Sequence, residues 1–571
     1  MTLLWIVVPA LVAVSVASLI ARARRRRLAR LRSAWEKPVE RTRRLDAMAE
    51  SHASRVGDAA SRSLDDRTWK DLDFDHVFAA IDRTHSTLGQ HALYHRLRTA
   101  PAADHLDAFE ALVTRMSEDA AARERASLAL ERLQDPHGYD VWWLARPDAV
   151  EGRDWFVIFP VLTAVSVSLA ALTLAGAIPP AALLALLVTN VAVRYATDRR
   201  IGSLARSFRQ CGPIIATAGS LRFLTGDAVD PIIRPLGADV PDLARMKLIS
   251  RWVNGDPFML SISPNPLAVA VSEVVMLAYE YLNLALLLDG TGVYFGVRDL
   301  ARRGNALVRV AAAVGDVDAA ISVASFRAST EQWSRPDLSA SGSSAGMSEL
   351  RHPLVEDAVP NSIALPAGRG ILVTGSNMSG KSTFLRTVGV NAVLAQTIYT
   401  CCAREYRAPV FHVRSCIGRS DDLLSGKSYY VAEVDALLEL VRASDGAGPH
   451  LFLLDELFRG TNAVERIAAG QAVLLQLLGG DDGRTPHIAL AATHDRELVD
   501  LTSARFDAYH FGDDVGPDGL TFDHRIKPGP STTRNALALL RLHGAPDALL
   551  TRAAETAALL DRQRGATVIA R

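Results

Sequence analysis

The sequence predicts an α/β C-terminal part on a mostly parallel sheet, preceded by a mostly α-helical part that carries membrane-spanning helices. Three observations predict this. From about Leu350, short apolar runs at Gly370–Thr374, Leu451–Leu454 and Ile488–Ala492 alternate with helical segments. That is the pattern of buried parallel strands joined by helices. Upstream, apolar residues recur at helical spacing, as at Val77, Ile81, Leu93 and Leu97. Two uncharged stretches in that upstream part are long enough to cross a bilayer core.

The first stretch is Thr2 to Ala21, followed at once by Arg22, Arg24, Arg25, Arg26, Arg27, Arg30 and Arg32. Positive charge after the apolar run puts the arginines in the cytoplasm. A cleaved signal peptide carries its charge before the run, so an uncleaved anchor over 1–21 is expected. A cytoplasmic helical region follows over 22–154. The second stretch, Trp155 to Val193, is about right for two spans, with Gly176, Pro179 and Pro180 where a turn would fall. Arg194, Arg199 and Arg200 follow it, so a hairpin over 155–197 returns the chain to the cytoplasm. Three spans then place 22–154 and everything after 197 on one side. Pro266 to Leu288 is also apolar, but Glu273 and Glu280 interrupt it. Burying a carboxylate in lipid is costly, so a core helix of a soluble domain is expected there. Residues 198–338 read as a helical core, and Ser339 to Ser348, rich in Ser, Gly and Ala, as part of a linker over 339–349.

With 571 residues, three or four globular units at roughly 100–200 residues each are expected. Lys+Arg and Asp+Glu both total 63. The whole-chain basic signature of a nucleic-acid binder is therefore absent, and any basic surface must be local. The four cysteines, Cys211, Cys401, Cys402 and Cys416, form no C-x-x-C pair. They read as reduced structural thiols.

The segment from Gly375 to Ser382 fits G-x-x-x-x-G-K-[ST], between a strand ending at Thr374 and a helix through Thr383–Val390. In such a loop glycines let backbone N–H groups of Gly375, Ser376, Asn377, Met378, Ser379 and Gly380 turn towards phosphate oxygens. Lys381 reaches the terminal phosphates, Ser382 reaches Mg²⁺, and the helix that starts near Thr383 points its positive end at them. Asp455 and Glu456 end the apolar run Leu451–Leu454, at the ligand edge of such a sheet. Asp455 is placed to hold Mg²⁺ and Glu456 to orient or deprotonate the attacking water. Thr493 and His494 end another strand, and His494 could donate a hydrogen bond to the γ-phosphate.

Together, Arg351-His352-Pro353, the run Gly375 to Thr383, Asp455-Glu456 with Arg459-Gly460-Thr461, and Thr493-His494 resemble the ATPase domain of MutS proteins in order and spacing. The segment Ser420 to Ser428, with Glu433 after it, is similar to that family's signature segment, a diverged form of the ABC-superfamily signature. The chain end, with Lys527-Pro528-Gly529, Asn535-Ala536 and Gly544-Ala545-Pro546, looks like the family's C-terminal part. The resemblance is strong over about 350–560. It extends weakly to Asp82-Arg83-Thr84, Thr87 and Gly89, which are similar to the start of the family's lever region.

It implies an ABC-superfamily type P-loop NTPase fold over 350–571, preceded by the lever or core region over 198–338. It also implies ATP and Mg²⁺ as cofactors, and a homodimer in which Ser428 reaches across to the partner's γ-phosphate. Glu456, His494 and Lys381 are the expected catalytic residues. DNA is the expected ligand, at a multi-pass cell-membrane location with the ATPase domain in the cytoplasm. Three departures bear on this. No Phe-x-Glu wedge occurs, a membrane hairpin sits in the helical half, and Ser379 replaces the usual Gly of the loop. An ABC-type transporter ATPase and a membrane tethering or remodelling ATPase without a DNA ligand are the other classes the motifs allow.

Overall fold

Among the described residues of the C-terminal half, nine strands follow one another: β1 (Ala345–Leu350), β2 (Asn361–Leu365), β3 (Gly370–Thr374), β4 (Glu405–Arg407), β5 (His412–Cys416), β6 (His450–Asp455), β7 (Ile488–Ala492), β8 (Phe506–Gly516) and β9 (Gly519–Pro528). The computed structural model describes residues 2–57, 62–133, 141–144, 154–253, 266–339, 344–376, 378–417, 429–446, 448–479, 485–516, 519–531, 537, 540–541 and 543–569. Contacts divide the chain into two units, Met1–Ser61 with Phe78–Ser329, and Arg62–Val77 with Thr330–Arg571.

The second unit is built on a six-stranded sheet of order β5-β6-β7-β3-β8-β9. The first five strands run parallel and β9 returns antiparallel. Strands β3 and β7 are buried along their whole length, as the continuous apolar runs require for a sheet covered on both faces. Phe452 and Leu454 of β6, Ala489 and Ala491 of β7, and Leu474 and Leu477 of the helix Ala463–Leu477 share one core. A smaller antiparallel sheet, β2-β1-β4, sits in the same unit. The expected linker is therefore partly a strand. β1 begins at Ala345 because Met347 is buried and pairs with Ile363 and Tyr406.

The division also differs from the expected boundaries at Arg62–Val77, which belongs to this unit and not to the helical region upstream. The reason is a set of side-chain hydrogen bonds to the β5 edge. Asp65 caps the short helix Asp66–Asp71 by accepting from the Thr68 N–H. Thr68 Oγ1 accepts from Ser415 N at 3.1 Å. Asp71 Oδ2 accepts from Ser415 Oγ at 2.8 Å and Ile417 N at 2.9 Å. Leu72 fills the space beside Gly389, where an added Cβ would lie 2.7 Å from it.

The first unit is helical among its described residues. Val77 apart, which lies in the other unit, the helical-spaced residues Ile81, Leu93 and Leu97 are all buried in it. The helix Thr87–Arg98 crosses the long helix Leu288–Ser329 so closely that a Cβ on Gly315 would lie 2.7 Å from the Leu88 carbonyl oxygen. Ser86 caps the former helix through Gly89 N, and Asp318 accepts from His85 N, Ser86 N and Ser86 Oγ at 2.6–2.8 Å. Asp82 takes Arg41 and Arg43. Burial alone would raise its carboxyl, but Arg41 and the Gln90 and Thr84 hydrogen bonds hold it below the usual range. The segment Asp82 to Gly89 is thus a structural joint. Arg327 and Glu110 form a buried bidentate pair nearby.

Thr2–Ala34 forms one helix. Where a membrane hairpin over 155–197 is expected, two helices, Ile158–Leu174 and Ala181–Leu221, are joined by a turn at Gly176, and the second runs on well past residue 197. By length and composition one helix among the described residues, Asp154–Leu174, is apolar enough to cross a membrane. Ala181–Thr197 is a shorter apolar segment. The helix Pro266–Leu286 is not the buried core helix expected. Val274 is 69% exposed and Leu282 53%, with Met276, Leu277 and Tyr281 also exposed. Its apolar residues lie all round, so packing one side against the hairpin helices leaves the other apolar side uncovered. Cys211, Cys402 and Cys416 are free thiols pushed up to about 12 by burial, which leaves them inert at neutral pH.

Candidate nucleotide-binding site

The chain leaves β3 through a loop that only a particular backbone allows. Gly375 has φ 144°, and a Cβ there would lie 3.0 Å from the Phe511 carbonyl oxygen. Met378 and Gly380 also have positive φ, at 71° and 110°. The helix Lys381–Ile398 starts directly after, so its unpaired N–H groups face the loop. Lys381 is buried with its Nζ donating to the carbonyls of Gly375 at 2.9 Å and Ser376 at 2.8 Å. Burial pushes its ammonium down to about 8, against the opposing pull of Asp455.

Sheet order decides what meets this loop. β7 lies between β3 and β6, so residues ending β6 and β7 flank the loop after β3. Ser382 Oγ donates to Asp455 Oδ2 at 2.5 Å. Asp455 Oδ1 is buried and has no partner among the described residues, and the same holds for the Ser376 and Ser379 hydroxyls. His494 Nε2 lies 2.8 Å from Glu456 Oε1 and 3.4 Å from Lys381 Nζ. Burial, then Lys381 and Arg459, lower the His494 imidazole below its ordinary value. A neutral ring beside an acceptor-only carboxylate carries its proton on Nε2. Arg459 grips the other oxygen of Glu456.

The backbone after β6 is wound tightly. Glu456 and Phe458 have φ 54° and 57°, a region that bulky residues rarely occupy. Glu433 Oε1 accepts the Phe458 N–H at 2.5 Å, which stabilises the turn; burial raises its carboxyl above the usual range. A cavity of about 200 Å³ opens beside Glu456, Arg459, Thr493, His494 and the Arg466–Asp495 ion pair.

Residues 371–561 match the family model for MutS domain V. The C-terminal unit carries a MutS domain V. The chain is 33% identical over 265 residues to DNA mismatch repair protein MutS of Natronomonas pharaonis, covering 45% of this chain and 30% of that one. It is 34% identical over 283 residues to the protein of the same name from Thermus thermophilus, covering 48% and 33%. With the Streptococcus pyogenes protein the figures are 32% over 276 residues, 46% and 31%. The chain spans about a third of the length of the curated relatives it matches.

MutS domain V thus contains every residue just described from Gly375 to His494. The structure brings Lys381, Ser382, Asp455, Glu456 and His494 together, with Gly375, Ser376, Met378, Ser379 and Gly380 in the loop and Thr383 exposed in the first helical turn. Asn377 and Ser428 lie outside the described residues. The residue set fits a nucleotide with Mg²⁺. The orphaned Asp455 oxygen, the Ser382 hydroxyl beside it and the two unpartnered loop hydroxyls are an oxygen-rich set suited to a hard cation and phosphate. Arg459 and Glu433 stand within the sequence motifs, which assign them no role of their own. The spacing of Arg459 three residues after Glu456 was the available signal. The motifs miss His524, whose Nδ1 lies 3.2 Å from the Ser379 carbonyl oxygen. Only the β8–β9 pairing brings that residue in, and no local pattern marks it.

Proposed function

We propose that the chain is a membrane-anchored ATPase that hydrolyses ATP as a homodimer and couples this to DNA binding without mismatch discrimination. The observation that carries the catalytic part is the convergence of Ser382 with Asp455, and of Lys381 with His494 and Glu456, at the ends of adjacent parallel strands. Lys381 now rests on two loop carbonyls, and phosphate oxygens of ATP would take their place. Ser382 and Asp455 would hold Mg²⁺, which supplies neutralisation of phosphate charge. Glu456 would orient the attacking water and accept its proton. Arg459 and His494 fix the carboxylate for that task. Ser428 of a second copy would complete the γ-phosphate contact.

The membrane part rests on Asp154–Leu174 and on exposed apolar residues along the hairpin, among them Val161, Leu172, Leu184 and Val188. Three spans, over 1–21 and within 155–197, would leave the ATPase domain in the cytoplasm. A cysteine introduced at Gly176 should then react with an impermeant reagent on intact cells, and one at Ser339 should not. The reverse labelling pattern would remove both the topology and the cytoplasmic ATPase.

DNA binding draws on relatives named for DNA mismatch repair. Without a wedge to unstack a base step, contacts fall on phosphates and carry no mismatch information. Affinity for matched and mismatched duplexes should be equal and should fall with salt, at a log–log slope of roughly −0.9 per phosphate neutralised. Titrating solubilised protein against both duplexes across a salt series checks this. A preference of roughly tenfold or more for the mismatch, about 1.4 kcal/mol, would show that another element reads the defect. Binding to neither duplex would remove DNA from the proposal.

A further inference from the structure

The first unit holds a cavity of about 480 Å³ at the foot of the N-terminal helix, far larger than the catalytic cavity and outside MutS domain V. Seven arginines line it against two glutamates. Arg32 forks onto Glu124, and Arg30 reaches Glu131 at 3.7 Å. Those pairs use up both glutamates. Arg41 is engaged by Asp82. The remaining cations form no ion pair with a carboxylate among the described residues. Arg27 and Arg132 make no ion pair there. Arg123 donates to the Met116 and Ser117 carbonyls and lies 4.0 Å over the Trp35 ring. Arg83, only 8% exposed, bonds Ser325 and Ser329, and its buried Nε has no partner among the described residues. Burial holds the guanidiniums of Arg83 and Arg123 below their ordinary value, offset only in part by Glu36 at Arg83 and by Glu124, Asp119 and Glu36 at Arg123.

A buried charge is ordinarily paired, and Arg83 is buried at this cavity with an unpartnered Nε and no ion pair among the described residues. Guanidinium forks match phosphate oxygens two at a time. The volume is that of a small-molecule site, not of a single ion. We propose that this cavity is a binding site for a phosphate-bearing small molecule, held by Arg27, Arg83, Arg123 and Arg132. A soluble anion fits better than a lipid headgroup if Thr2–Ala21 spans the bilayer. Arg27 then lies roughly 9 Å along the helix beyond Ala21, and the headgroup layer is only about 5–7 Å thick on each side. Its occupation would fix the N-terminal helix against the Arg83 joint, both of which the same ligand touches.

The test uses the full chain in neutral nanodiscs, in a Lys381→Ala background so that the nucleotide loop does not take up the probe. Inorganic pyrophosphate is titrated by calorimetry. One site per chain is expected, weakened at least tenfold by Arg132→Glu and by Arg83→Gln, and retained by Arg132→Lys. Arg132 is exposed, so its variants keep the test valid even if the buried Arg83→Gln chain fails to fold. A parallel arm measures binding to phosphatidylglycerol and phosphatidylcholine vesicles. Loss of phosphatidylglycerol binding in Arg132→Glu, with no pyrophosphate site in the parent, would assign the same phosphate chemistry to a lipid headgroup. If neither ligand responds to Arg132→Glu and Arg83→Gln, the cavity is not an anion site and the proposal is wrong.

Discussion

Replacing Glu456 by Gln is expected to leave ATP binding intact and slow hydrolysis by about 10²- to 10⁴-fold, the range for loss of a general base. The amide keeps the volume and one oxygen for Arg459 or His494. It loses the charge that both partners address and the basicity that takes a proton from water. The closed, ATP-loaded dimer should therefore accumulate. Single-turnover hydrolysis and nucleotide retention on a filter measure both halves of the expectation. Turnover at the wild-type rate would mean that Glu456 is not the catalytic carboxylate.

The second large effect concerns the composite site. Lys381→Ala and Ser428→Arg should each be inactive alone, the first for want of the phosphate-binding ammonium, the second because a bulky cation replaces a hydroxyl at the partner's γ-phosphate. Mixed in equal amounts they should regain activity. Only heterodimers have one site built from the intact Lys381 of one chain and the intact Ser428 of the other. With random pairing in a symmetric dimer, about a quarter of wild-type turnover should return. Absence of recovery, with heterodimers demonstrated by tag exchange, would show that each site is complete within one chain.

The parts of this site that were legible in the sequence are those whose chemistry is local. Gly375 to Ser382 is contiguous, and its glycines answer a backbone demand that the φ of 144° at Gly375 makes explicit. Asp455, Glu456 and His494 were legible because each ends an apolar run, and strand ends of a parallel sheet gather at one edge. What brings His494 between Lys381 and Glu456 is the strand order, and no run of residues encodes that. The same holds for His524 and for Asp65 to Leu72. The latter read as helix, which is right, but their attachment to β5 depends on single polar side chains 344 to 349 residues away in sequence. The helix Pro266–Leu286 departs from a buried core helix because the apolar residues around it exceed what one packing face can cover.

The attachment of Arg62–Val77 has a consequence for anyone who would cut the molecule apart. The chain passes between the two units three times, after Ser61, after Val77 and after Ser329. A fragment beginning at Thr330 would carry all the nucleotide motifs and yet lack the strap on its sheet edge. It would bare the hollow at Gly389 that Leu72 fills and leave the β5 amides of Ser415 and Ile417 without their acceptors. A single nick near Ser329 would, conversely, leave the halves tethered through the strap. Recombinant dissection should therefore supply residues 62–77 as a fused or separate peptide, and a protease cleaving once should not release a free ATPase.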